Sequence, residues 1–161
     1  MLELKVHLSL MHIATNSEKI DLSLEKNTEK FAERFLKKLK PGFTIFLYGE
    51  MGVGKTTFIR YLINKLQKEN KLKITEVPSP TFNILNEYQI NNLIIKHYDL
   101  FRLKSVTETK NLDLFEDKSK TITLIEWPEI IEKKPINLIE LIFTYEANHR
   151  KRSLQIKGLN L

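Results

Sequence analysis

Three glycines, a lysine and two threonines fall within the nine residues Gly49-Glu-Met-Gly52-Val-Gly54-Lys55-Thr56-Thr57. Their spacing is G-x-x-x-x-G-K-[ST], the pattern of a phosphate-cradling loop. A phosphate is held by backbone N–H groups only where the chain bends sharply and comes close, and glycine permits both. In that arrangement Lys55 reaches the β- and γ-phosphates of a nucleoside triphosphate, and the Thr56 hydroxyl ligates Mg²⁺. Phosphoryl chemistry on such a loop also needs carboxylates, one to hold the metal and one to orient a nucleophile. Two acids are suitably placed at the ends of expected strands, Glu126 after the apolar run Thr121-Ile-Thr-Leu-Ile125 and Asp99 after a weaker one. Catalytic weight therefore falls on Lys55, Asp99 and Glu126, with one of the two acids holding the metal beside Thr56 and the other orienting the nucleophile.

Positioning these groups requires a strand before the loop and a helix after it. Phe43-Thr-Ile-Phe-Leu-Tyr48 is apolar, β-branched and aromatic, and reads as a buried strand. From Thr57 to Leu66, apolar residues recur at helical spacing through Phe58, Leu62, Ile63 and Leu66. Strand, loop and helix then aim several N–H groups and a positive helix end at one point. Upstream, Asp21–Leu24 reads as a short strand, and a helix capped by Asn27 or Thr28 runs to about Leu39. Downstream, Leu72–Val77 reads as a strand closed by Pro78 and Pro80. Phe82–Tyr88 and Leu93–Leu100 form a hairpin over Asn91-Asn92. Ser105-Val-Thr-Glu108 is a capping box opening a short helix that includes Leu112 and Leu114. Leu138–Tyr145 and Ser153–Leu159 are two last strands around a turn through Asn148-His149-Arg150.

The whole suits one α/β domain over residues 1–161, a P-loop NTPase fold with a central, mostly parallel sheet and antiparallel hairpins, residues 1–20 forming an N-terminal extension. Composition agrees, with 42% apolar and 29% charged residues and no run long enough for a membrane span. The absence of cysteine excludes disulfides and thiolate metal sites. It is neutral about compartment, and the nucleotide loop argues for the cytoplasm. The net charge is +6, yet 21 of the 26 basic residues are lysines scattered along the chain, a pattern of solvated surface more than of a nucleic-acid face. His97 reads as a core histidine. Trp127, the sole tryptophan, either stacks near the nucleotide or fills core, and Arg150 sits where a hairpin turn could carry it to the nucleotide.

Ser79-Pro-Thr81-Phe82 with Asn86-Glu-Tyr88, His97-Tyr-Asp99-Leu-Phe-Arg102-Leu103 and Ile125-Glu126-Trp127-Pro-Glu129 follow the glycine loop in order. Together with the Thr28 helix ahead of Pro41-Gly42, the chain from about Asp21 to Leu159 resembles the bacterial TsaE family, the small ATPase of tRNA threonylcarbamoyladenosine biosynthesis. The resemblance implies that Gly52, Val53, Gly54, Lys55, Thr56 and Thr57 form the phosphate loop and that Thr56 and Glu126 are Mg²⁺ ligands. It further implies that Asp99 serves ATP hydrolysis, that Ser79 and Thr81 belong to a switch-like loop, and that Arg150 contacts the nucleotide. Glu25–Thr28 then lies near the adenine. The implied cofactors are ATP and Mg²⁺. The implied partners are TsaB and TsaD, so tRNA is involved only indirectly, and position 37 of tRNA is the site modified. Where family members usually carry a glycine before the E-W-P strand, this chain has Asn111-Leu-Asp-Leu-Phe115.

Two other readings compete. A small-molecule or nucleotide kinase needs an arginine-rich lid, which five scattered arginines do not supply. A nucleotide-gated binding module without meaningful hydrolysis uses the same loop. A GTPase lacks support, because there is no N-K-x-D segment and Asp99 is not followed by x-x-Gly.

Overall fold

Thr44–Tyr48 forms β2, the strand at the middle of the sheet, because four of its five residues are buried on both faces. A computed structural model describes residues 19–115, 119–147 and 149–158. Most of the expected N-terminal extension thus lies outside the described residues. The remaining strands are β1 (Ile20–Asp21), β3 (Leu85–Ile90), β4 (Leu93–Asp99), β5 (Thr121–Glu126), β6 (Leu138–Glu146) and β7 (Lys151–Lys157). They form one seven-stranded sheet in the order β1-β7-β6-β2-β5-β4-β3. The central four, β6, β2, β5 and β4, run parallel, and antiparallel pairs finish both sides. Parallel strands need covering on both faces, which explains the continuous apolar character of β2 and β5.

One face carries the two main helices, α1 (Glu25–Leu36) and α2 (Lys55–Glu69). Phe31 and Phe35 of α1 and Phe58 of α2 meet with ring centroids 5.4–5.6 Å apart, over Ile45, Leu47, Ile95 and Leu124 of the sheet. The opposite face buries Phe46, Tyr98, Leu100, Leu114 and Ile125 under shorter segments. Burial pushes the Tyr98 phenol up to about 12.

Several boundaries differ from those read from the sequence. Leu72–Val77 is not a strand. Its Thr75 is instead gripped by the Gln67 side chain at both backbone N and Oγ1, and Pro78 and Pro80 remove the donors a ladder would need next. The first arm of the hairpin begins only at Leu85, because residues 81–83 turn and Ile84 takes a φ of 68° with its N–H on the Pro80 carbonyl. The first helix starts at Glu25 behind Leu24, not at Asn27 or Thr28, and Ser23 turns onto the Asp21 carboxylate where a longer strand was expected. That helix stops at Leu36, short of Leu39, which still packs on the core. Ser105 does open a capping box, but α3 covers only Val106–Lys110, leaving Leu112 and Leu114 beyond it as packing residues. The last strand begins at Lys151, two residues early, and Leu159 lies outside the described residues.

Candidate functional site

The loop after β2 carries glycine at the positions where the backbone leaves ordinary space. Gly49, Gly52 and Gly54 have φ of 135°, 77° and 119°. A Cβ on Gly49 would stand 2.5 Å from the Phe143 carbonyl, so any side chain there drives β6 away. At Gly54 a Cβ would meet nothing within 4 Å, so the glycine serves backbone conformation on an open side of the loop. Val53 is buried beneath the loop, which leaves only its backbone to face a ligand. α2 begins at Lys55, with no side chain capping its first turn, so its positive end opens onto the same space.

Lys55 is 4% exposed. Its ammonium donates to the carbonyls of Gly49 (2.5 Å) and Glu50 (3.0 Å) and stands 4.0 Å over the Trp127 ring. Burial pushes the Lys55 ammonium below its usual range, against the opposing pull of Glu126, Glu129 and Asp99. Trp127 is turned into this position by a left-handed φ of 58°, with Pro128 beginning a 3-10 turn (Pro128–Ile130) behind it. The Trp127 ring also meets Phe101, at 4.8 Å between ring centroids and a tilt of 52°.

Register brings the acids together. Asp99 and Glu126 are directly paired across β4 and β5, and Glu126 pairs with Leu47 at the loop end of β2. Being two residues before Asp99, His97 shares its face of the sheet. The Thr56 hydroxyl donates to Glu126 Oε1 at 2.8 Å, and His97 Nε2 lies 2.9 Å from the same oxygen. Asp99 is held differently. Its Oδ2 accepts from the Ser79 and Thr81 hydroxyls at 2.7 Å each, and Oδ1 accepts the Phe101 backbone N–H at 3.0 Å.

Lys55, Thr56, Ser79, Thr81, Asp99, Glu126 and Trp127 therefore converge. Thr57 lies in the first turn of α2, half-buried. Arg150 is exposed on the β6–β7 turn, whose neighbours touch the loop through Tyr145, which donates to the Met51 carbonyl at 3.4 Å and packs on His149. Glu25, at the start of α1, accepts from Arg60 and Tyr61 on the outer side of α2, and Thr28 is buried on the core side of α1. The pairing of His97 with Glu126 was missed, because it depends on β4 lying beside β5 in this register. Tyr145 had none, since its role depends on β6 lying beside β2.

A hydroxyl and a carboxylate meeting at the open end of a glycine loop are hard oxygen donors, the chemistry of Mg²⁺ shared with phosphate oxygens. No group of three or more His, Cys, Asp or Glu side chains gathers as a self-sufficient metal site among the described residues. The donor set thus fits a cation completed by a bound phosphate.

The family model for "Threonylcarbamoyl adenosine biosynthesis protein TsaE" matches residues 22–154. The chain belongs to the TsaE family. The protein named tRNA threonylcarbamoyladenosine biosynthesis protein TsaE in Rickettsia bellii is 45% identical over 127 residues, covering 78% of this chain and 85% of the relative. The protein of the same name in Aquifex aeolicus is 34% identical over 134 residues, covering 83% and 92%. Among solved structures, the Bacillus protein YdiB superposes with a TM-score of 0.62 over 85% of this chain and 82% of its own, at 23% identity, and so shares the fold. The expected P-loop α/β architecture and TsaE membership are both borne out.

Proposed function

We propose that this TsaE-family protein binds ATP with Mg²⁺ on the Gly49–Thr57 loop, hydrolyses it slowly, and acts with TsaB and TsaD in the cytoplasm to form threonylcarbamoyladenosine in tRNA. The observation that carries the nucleotide reading is the meeting of Thr56 and Glu126 at 2.8 Å beside a buried lysine, in a chain of this family. The relatives' names, all drawn from threonylcarbamoyladenosine biosynthesis, support the pathway. No helix of the described residues is long and apolar enough to cross a membrane.

In this reading Gly52, Val53, Gly54 and Thr57 offer backbone N–H groups to the phosphates. Lys55 swings its ammonium from the carbonyls of Gly49 and Glu50 toward the β- and γ-oxygens. Thr56 and Glu126 hold the cation, which supplies charge neutralisation and a template for in-line displacement. Asp99 orients the attacking water, which requires the Ser79 and Thr81 hydroxyls to release its Oδ2. Trp127 shields the lysine from solvent. Arg150 contacts the nucleotide, and the segment Glu25–Thr28 at the start of α1 lies near the adenine.

Slow turnover in isolation follows from the arginines. Arg60 pairs with Glu25, Arg102 lies over Phe82, Arg152 lies over Tyr145 and Arg34 is exposed on α1, while Arg150 is assigned to the nucleotide, so this reading leaves the transition-state arginine to a partner. The test is mass spectrometry of digested tRNA after depletion of the protein. Loss of threonylcarbamoyladenosine supports the reading, and an unchanged level overturns it. Radiolabelled ATP turnover with and without TsaB and TsaD separates ATPase from a gated module that never hydrolyses.

A further inference from the structure

His97 is fully buried, at 0% exposure, and its side chain forms a single hydrogen bond, to Glu126. Its other ring nitrogen, Nδ1, is buried with no partner. A histidine kept only to fill core is a poor choice here, because the orphaned nitrogen costs stability that leucine at the same place would not. What the ring contributes is directional. A carboxylate oxygen accepts and cannot donate, so the ring must give a proton from Nε2.

Glu126 Oε1 is then fixed from two sides, by Thr56 on α2 and by His97 on β4. Both donors stand on regular elements, and His97 and Glu126 point to the same sheet face. A ligating carboxylate held this way cannot rotate about its terminal bonds, which preorganises it for a cation.

We propose that His97 is the positioning residue for Glu126, holding its carboxylate in the orientation that receives the divalent cation of a bound nucleotide. This rests on the Mg²⁺-nucleotide reading above. The cation is recognised by Thr56, Glu126 and phosphate, with His97 acting through Glu126 alone.

The experiment uses the full chain with ADP, and measures Mn²⁺ binding by electron paramagnetic resonance alongside nucleotide binding in EDTA by equilibrium dialysis. His97→Leu should weaken Mn²⁺ binding by roughly 10–100-fold, the usual cost of losing an outer partner of a ligand. Metal-free ADP binding should stay within about twofold. His97→Gln, whose amide nitrogen stands where Nε2 stood, should recover most of the loss. In a Glu126→Gln background, His97→Leu should add nothing.

The proposal is overturned by wild-type Mn²⁺ affinity in His97→Leu, by equal losses in the Leu and Gln variants, or by a loss that persists without the Glu126 carboxylate. A readout on the unaltered protein stands apart from folding of the variants. Imidazole ¹⁵N shifts should show His97 with a proton on Nε2, and a bare Nε2 overturns the proposal. Absence of any Mn²⁺ binding to the wild-type ADP complex would instead sink the nucleotide reading itself.

Discussion

Asp99 and Glu126 are neighbours in register, equally buried at 3% exposure, yet the protein grips them by different means. Glu126 is held by a helix residue and a strand residue, Thr56 and His97. Asp99 is held by Ser79 and Thr81, which lie on a proline-bracketed segment outside any regular element, and by the N–H two residues along its own chain. The first acid belongs to the rigid frame and the second to whatever state that segment occupies. Under the proposed function this would divide the labour between a fixed metal ligand and an adjustable hydrolytic one, in keeping with loops being the less stable parts of a fold.

The sharpest challenge is to the lysine whose charge both acids feel. Lys55→Ala should lower ATP hydrolysis by about 10²–10³-fold and weaken nucleotide binding, as removal of a preorganised transition-state donor does elsewhere. Turnover at the wild-type rate would refute the shared site. Next, Glu126→Ala and Asp99→Ala should cost similar activity but different stability. Loss of Glu126 strands a buried imidazole and should destabilise by roughly 1–3 kcal/mol, about 2–4 °C of melting temperature per kcal/mol. Loss of Asp99 frees two hydroxyls on a solvent-facing segment and should cost less. Equal melting temperatures for the two variants would erase the distinction between frame and loop.

How far these points could be read from the chain differs between the two acids. The glycine loop, its strand and its helix were legible because their signals are local: apolar periodicity, glycine at three positions and the lysine-threonine pair. Glu126 was legible as the polar end of an apolar run. Its histidine partner was not, since a buried imidazole on a strand looks like core until the neighbouring strand's register is known. Leu72–Val77 misled because alternation alone does not reveal that Gln67 takes the Thr75 backbone N–H. Leu112 and Leu114 continued an apolar spacing that the chain satisfied by packing outside the helix.

A milder test concerns the loop. Ser79→Ala and Thr81→Val each delete one donor to Asp99 and should change stability by under about 1.5 kcal/mol. Amide hydrogen exchange should nevertheless quicken around residues 78–84, with no change in β5. Protection lost equally in β5 would merge the two regions.

The smallest effect lies outside the site, at Glu140 on β6. Burial opposes ionisation of this carboxyl, but hydrogen bonds from Lys134 and Tyr48 win and hold it below the usual range. A lowered folded value means its stabilisation is present above about pH 4.5 and fades as pH falls through the folded value. Glu140→Gln should flatten that acid limb of thermal stability and leave hydrolysis alone. An unchanged acid limb would show that this pair contributes nothing to folding.

Trp127 is the chain's one indole, and the Lys55 ammonium rests 4.0 Å from the centre of its ring. A cation so close perturbs the excited state, so drawing the lysine away should alter emission intensity and wavelength. If nucleotide draws Lys55 away as proposed, the protein carries its own optical gauge of loading, sensitive to where a single proton-bearing nitrogen stands and requiring no attached dye.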